Sequence, residues 1–237
     1  SWCGPCKKLA QNVFPNDTVG RFFNEHFVNV QYDVENDSTG VRLARKYGVR
    51  AYPTLLFIDP ETEEMAHKVV GLCDVKLLVE EGEQARNPEE NLRALRERFA
   101  RGDRQLDFLR GYMYTAMFAR EQEETVLATQ AYVAALPIRE WGSKENWHIM
   151  SNAVSDPLSA PVKALMDSLD YARGQLGQER VDGLLVDIFH YAAYNIAAWT
   201  PESGMPFSEE RNDTLISYLQ RFDHACAPGE LAYLYTA

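Results

Sequence analysis

Beyond residue 88 the chain has no stretch of any length in which apolar and polar residues alternate, only successive segments with apolar residues three and four apart. A half-buried strand needs a period of two and an amphipathic helix one of 3.6, so this half of the chain is confined to helices. Helical spacing covers residues 89–100, 104–119, 122–136, 145–154, 158–173, 178–199 and 208–224. Gly102-Asp103, Pro137, Asp156-Pro157, Gly174 to Gly177 and the stretch TPESGMPFS (200–208) break it at short intervals. Connections this short pack neighbouring helices antiparallel.

The first 86 residues read differently. KKLAQNVF is helical and stops at Pro15, and NDTVGRFFNEHF offers an Asn or Asp cap followed by amphipathic turns. VNVQYDV (28–34) alternates Val28, Val30, Tyr32 and Val34 with polar neighbours and predicts a strand closed by the turn-forming END. STGVRLARKYGV predicts a helix burying Val41, Leu43, Ala44 and Tyr47 and ending at Gly48. TLLFID (54–59) has the unbroken apolar character of a strand buried on both faces, and Pro60-Glu61-Thr62-Glu63 turns it into a hairpin with MAHKVVG. DVKLLVEEGEQA adds a helix. Asn87-Pro88-Glu89-Glu90 then combines a cap, a first-turn proline and early acids, which sets a boundary between a mixed domain, 1–86, and an all-helical domain, 87–237.

The 237 residues are 46% hydrophobic and 11% aromatic, enough for a sizeable core, and carry a net charge of -11. That balance argues against nucleic acid or an anionic membrane as partner, because neutralising phosphates takes clustered Lys and Arg. No apolar run approaches the roughly 18–20 residues of a bilayer span. Of the four cysteines only Cys3 and Cys6, in Trp2-Cys3-Gly4-Pro5-Cys6, have partner spacing. Thiols one helical turn apart can close a small disulfide ring or stand apart as a dithiol, which is redox chemistry. A zinc site would need a second pair at metal spacing, and none is present, so no metal is expected. Cys73, in VVGLCD, reads as a buried inert thiol, and Cys226, beside His224, as a helix-end residue. His26, His67, His148 and His190 share no spacing and read as surface or core residues. The aromatic residues from Tyr112 to Trp199 sit at helical spacing and read as packing between helices.

WCGPC on a helix, then strand, helix, Tyr52-Pro53-Thr54, strand, hairpin strand and helix, resembles the thioredoxin superfamily over roughly residues 1–86, and KYGVRAYPTLLFID is similar to its cis-proline segment. NVFPNDTVGRFFNEHFVNVQYDVE is closer to thioredoxin-like proteins of the bacterial cell envelope than to cytosolic thioredoxin. Residues 100–136 suggest a helix-turn-helix repeat of the tetratricopeptide type, although the consensus Trp, Leu-Gly and Pro positions are not in place.

The resemblance implies a thioredoxin-like α/β domain followed by helical hairpins. It makes Cys3 the nucleophile, its thiolate favoured at a helix start, and Cys6 the more shielded resolving thiol. It makes Pro53 cis, with the backbone of residue 52 open to an extended substrate peptide, and places Trp2, Tyr52 and Thr54 at the substrate. Gly4 and Pro5 shape the ring, and this pair resembles reducing members more than oxidising ones. Tyr52 stands where thioredoxin has a smaller aliphatic residue, which changes substrate contact. In this family a hydrophobic central strand, carrying a buried acid that assists proton transfer, leads directly into Trp-Cys. Neither is present in these residues. The strand would lie between 28–34 and 54–58, both of which need a ladder partner. The expectation is a natural chain longer at its N-terminus by a strand or more, or a sheet repaired by another segment or molecule.

The functional expectation is a protein-disulfide reductase with no cofactor beyond the Cys3–Cys6 pair. Its partners would be a disulfide-containing protein substrate and an upstream electron donor, its location the periplasm or cell envelope, and its helical half would bind or position partners. The alternative is a non-catalytic binding or adaptor protein built from a degenerate or truncated thioredoxin fold and helical repeats.

Overall fold

The computed structural model describes residues 2–153, 156–197 and 209–225. The chain divides into two compact units, residues 1–103 with 111–125, and residues 104–110 with 126–237.

The first unit begins with α1 (Gly4–Lys8), where Pro5 sits in the first turn and its missing N–H costs nothing. The helix continues as a single π turn over Leu9–Val13, which sends Leu9 and Val13 inward. Asn16 caps α2 (Asp17–His26) by accepting the Thr18 N–H at 2.9 Å. Asp37 caps α3 (Ser38–Lys46) in the same way. β1 (Thr54–Ile58) and β2 (Met65–Val70) pair antiparallel, with Leu55 opposite Val69 and Phe57 opposite His67. Asp74 caps α4 (Val75–Arg86), and α5 (Leu92–Ala100) follows. α6 (Leu106–Phe118) and α7 (Gln122–Ala135) each carry residues of both units.

Two apolar clusters fill the first unit. Leu9, Val13, Val19, Cys73 and Leu78 join the π turn to α2 and α4. Phe57, Val69 and Ala85 form the other, with Phe23 and Phe27 against them. The Phe27 ring lies 5.3 Å from Phe57 and 5.2 Å from Phe23, centroid to centroid, within the range that favours aromatic pairs. α4 approaches α2 closely at Gly82, where a Cβ would stand 2.6 Å from the Phe22 ring.

Charged side chains fasten α5 and the start of α7 to the hairpin. Lys68 of β2 is 7% exposed and donates to Glu121 at 2.5 Å, and Arg96 of α5 reaches both Glu121 (3.3 Å) and Glu124 (2.7 Å). The Tyr112 hydroxyl donates to Glu124 at 2.9 Å, and burial together with that bond pushes its ionisation well above the ordinary range. Arg93 pairs with Asp59 and Glu64 at the hairpin turn.

Several sequence expectations change here. Residues 28–34 form no strand, and Val28 and Val30 are 94% and 71% exposed. A strand exists by its ladder, and among the described residues nothing pairs with this segment. It is held at its ends instead: the Asn29 amide donates to the Phe23 carbonyl at 3.1 Å, and the Asp33 carbonyl accepts from Asp37 at 3.0 Å. β1 is buried only at Phe57 rather than on both faces, and Val41, Leu43, Ala44 and Tyr47 of α3 are half-buried, for want of the same neighbour among the described residues. α5 starts at Leu92 with Asn91 as its cap, while Asn87 closes the preceding turn by accepting the Glu89 N–H.

The second unit is helical throughout its described part: α8 (Lys144–Ala153), α9 (Ala160–Asp167), α10 (Leu169–Leu176), α11 (Gln178–Ala197) and α12 (Glu209–Ala225). The segment expected as one helix over 158–173 is two, parted at Ser168. Trp141, Leu165, Leu185, Phe189 and Phe222 are at most 1% exposed, and the Trp141 indole N–H donates to the Leu136 carbonyl at 2.9 Å. Tyr112, Tyr132, Trp141 and Phe189 are buried as core residues, whereas Phe118 is exposed. Cys226, Trp199 and the break at 200–208 lie outside the described residues, as do the side chains of Tyr191, Tyr194 and His224. Among the described residues no helix is long and apolar enough to cross a membrane.

Gly40 of α3 packs so closely on the preceding segment that a Cβ would lie 2.7 Å from the Asp33 carbonyl oxygen. Gly→Ala within a helix ordinarily stabilises by about 1 kcal/mol. Here the neighbour is backbone and cannot yield, so Gly40→Ala is expected to destabilise by roughly 1–3 kcal/mol, read as a lowered urea midpoint.

Candidate functional site

Cys3 and Cys6 are joined as a disulfide, with their Cα atoms 5.3 Å apart. The first turn of α1 fixes that spacing: the Lys7 N–H donates to the Cys3 carbonyl, and Cys3 is the N-cap, its Sγ accepting the Cys6 N–H at 3.2 Å. This folds the Cys3 side chain back over the helix start. Cys3 is consequently only 6% exposed and Cys6 is half-buried, the reverse of the shielding expected from sequence.

The Tyr52–Pro53 peptide bond is cis. Two hydrogen bonds hold the turn: the Thr54 hydroxyl donates to the Ala51 carbonyl at 2.7 Å, and the Gly71 N–H donates to the Pro53 carbonyl at 2.9 Å. Thr54 is thus engaged within the turn. Tyr52 and Trp2, 38% and 69% exposed, meet edge to face with centroids 6.2 Å apart, so the cysteine segment and the proline turn come together in space. Gly4 and Pro5 are exposed beside them.

One residue of this rim escapes sequence reasoning. The Trp2 indole N–H donates to Glu35 at 2.5 Å. Glu35 is presented by a turn organised on Asp33, whose carboxylate accepts from the Glu35 N–H at 2.9 Å and from the Asn36 amide at 3.0 Å. The Asn36 bond first, and the Glu35 bond after it, hold the Asp33 carboxyl below the usual carboxylate range. An acid in a turn is ordinary, and only the fold reveals which indole it meets.

Cys73 lies in the cluster beneath the π turn, 5% exposed and unpaired with any other cysteine. Burial raises its thiol above the ordinary value, and the charges of Glu81 and Asp74 act in the same direction.

Thr54→Val keeps the shape of the side chain and removes the donor to Ala51. The cost is expected to be about 1–2 kcal/mol in urea unfolding, with the carbonyl left unpartnered. Because its thiolate is disfavoured, Cys73 should react with iodoacetamide at neutral pH more slowly than a free cysteine, and at the free rate only once the chain is unfolded. Peptide mapping of the labelled protein checks both rates.

Comparison with protein families falls on the same segment. A family model for the thioredoxin-like domain matches residues 1–86. Thioredoxin-2 of Pyricularia oryzae is 38% identical over 78 residues, covering 32% of this chain and 40% of that protein. The chloroplastic thioredoxin-like protein CITRX of Solanum tuberosum is 28% identical over 78 residues, 33% of this chain and 41% of its own length. The protein disulfide-isomerase-like protein EhSep2 of Emiliania huxleyi is 35% identical over 63 residues, 27% of each chain. The chain therefore spans less than half the length of these relatives, and no solved structure gives a significant match. With the family model covering the stretch in which the paired cysteines and the proline turn meet, residues 1–86 belong to the thioredoxin superfamily.

Proposed function

We propose that the chain is a thiol–disulfide oxidoreductase that reduces protein disulfides through Cys3 and Cys6. The observation that carries the proposal is the meeting of the Cys3–Cys6 pair with the Tyr52–Pro53 turn through Trp2 and Tyr52. In the reduced protein the Cys6 N–H and the positive end of the helix favour a thiolate on Cys3. That thiolate attacks one sulfur of the substrate disulfide: a bond forms between Cys3 Sγ and the substrate, the substrate S–S bond breaks, and the departing sulfur takes a proton from solvent. Cys6, as thiolate, then attacks Cys3 Sγ, releasing the second substrate thiol and closing the Cys3–Cys6 disulfide. Two electrons have passed to the substrate, and an upstream dithiol donor returns them. No cofactor enters this cycle.

An extended substrate segment runs along the backbone of residue 52, beside the Trp2 and Tyr52 rings. The helical residues from 87 onward bind or position the partner. The cell-envelope location belongs to this proposal and rests on the sequence resemblance. The matched relatives include proteins named as chloroplastic.

One observation favours a second reading, an adaptor in which the disulfide is structural: Cys3 is 6% exposed. Insulin-disulfide reduction by single variants separates the two. Cys3→Ser is expected to abolish turnover, while Cys6→Ser retains the first attack and accumulates mixed disulfides. Equal activity in the two variants refutes the proposal. Recovery of the same partners by a double Cys→Ala variant, in reductant, supports the adaptor.

A further inference from the structure

We infer that His67 is a proton-operated latch that holds α5 on β2. The imidazole is fully buried, and both of its nitrogens are engaged. Nε2 lies 2.7 Å from the Glu81 carboxylate of α4, and the Leu92 N–H, the first of α5, points at Nδ1 from 3.2 Å. A backbone N–H only donates, so Nδ1 must present a lone pair. The single ring proton is then on Nε2 and is donated to Glu81. The ring is neutral, and its tautomer is fixed from two sides.

A helix leaves its first N–H groups without intrahelical partners. In α5 the Asn91 side chain takes the Ala94 N–H at 3.0 Å, and His67, from a different element, takes that of Leu92. Leu92 is 0% exposed, so water cannot replace the imidazole. A second proton on the ring must go to Nδ1. There it sets donor against donor and leaves a buried N–H orphaned, while the Glu81 anion favours the imidazolium so formed. Proton uptake and release of Leu92 are therefore one event. The latch is closed at higher pH and lost as pH falls.

Charged groups of α5 and β2 near the ring are paired with other partners. On α5, Arg93 is held by Asp59 and Glu64, and Arg96 by Glu121 and Glu124. On β2, Lys68 is held by Glu121. From β1 the Phe57 ring faces it, 5.7 Å away. Beyond the strand Cys73 is neutral, its ionisation opposed by burial and by Glu81. The inference does not depend on the redox reading, since it concerns the junction between the superfamily segment and the first helix beyond it.

The test is native-state hydrogen exchange on the full chain between about pH 8 and 5. The Leu92 amide is compared with that of Leu78, which donates within α4 to Asp74 at 3.0 Å. Protection of Leu92 relative to Leu78, after correction for intrinsic exchange, should fall about tenfold per pH unit below its midpoint, the slope for one proton taken up. In Glu81→Gln the Nε2–H keeps an acceptor but the imidazolium loses its anion, so the fall should begin at lower pH. In His67→Phe, Leu92 should be unprotected at every pH. If that variant does not fold, the wild type and Glu81→Gln still decide. Protection of Leu92 that ignores pH, an unmoved midpoint in Glu81→Gln, or an imidazole ¹⁵N spectrum showing Nδ1 protonated at neutral pH overturns the inference.

Discussion

A two-stranded antiparallel sheet has too little paired backbone to persist alone in water, and the first unit depends on how β2 is covered. Four consecutive residues of that strand, Ala66, His67, Lys68 and Val69, are buried, although alternate side chains leave a strand on opposite faces. Both faces are therefore packed. Val69 joins the phenyl cluster of α2 and β1, while His67 and Lys68 find partners on α4, α5 and the start of α7. Two of the four are polar or charged, so the covering elements must supply partners of the right kind as well as apolar surface. Removing one member of such a buried pair generally costs more than the pair itself contributes.

Local chemistry made much of this fold legible in the sequence. The hairpin announced itself through TLLFI, its acidic turn and MAHKVV, and the second helix through its Asn16 cap, which accepts a backbone N–H at the helix start. What could not be read was long-range. Residues 28–34 have a strand's pattern, but a pattern specifies a face, and only a neighbouring chain segment supplies a ladder. The division near Ser168 was likewise invisible, because the apolar spacing runs on across it.

The candidate site was legible for a different reason. A paired-cysteine turn and a Tyr-Pro-Thr turn are short motifs whose chemistry lies in the residues themselves, and Trp2 and Tyr52 bring them together. The acid that anchors Trp2 was not, since Glu35 is 33 residues away along the chain. Nor were the roles of His67 and Glu81. Scattered histidines carry no signal until a fold assigns each nitrogen a partner.

The segment that sequence comparison delimits, 1–86, is smaller than the body in which β2 is covered. A fragment cut at residue 86 would retain the imidazole and the Lys68 ammonium but lose Leu92, Arg96 and Glu121. Its hairpin would present an uncompensated cation and bare apolar carbon to solvent, a surface suited to aggregation. The homology boundary is therefore no guide to an autonomous folding unit: the smallest piece that leaves no buried charge stranded extends at least to the start of α7.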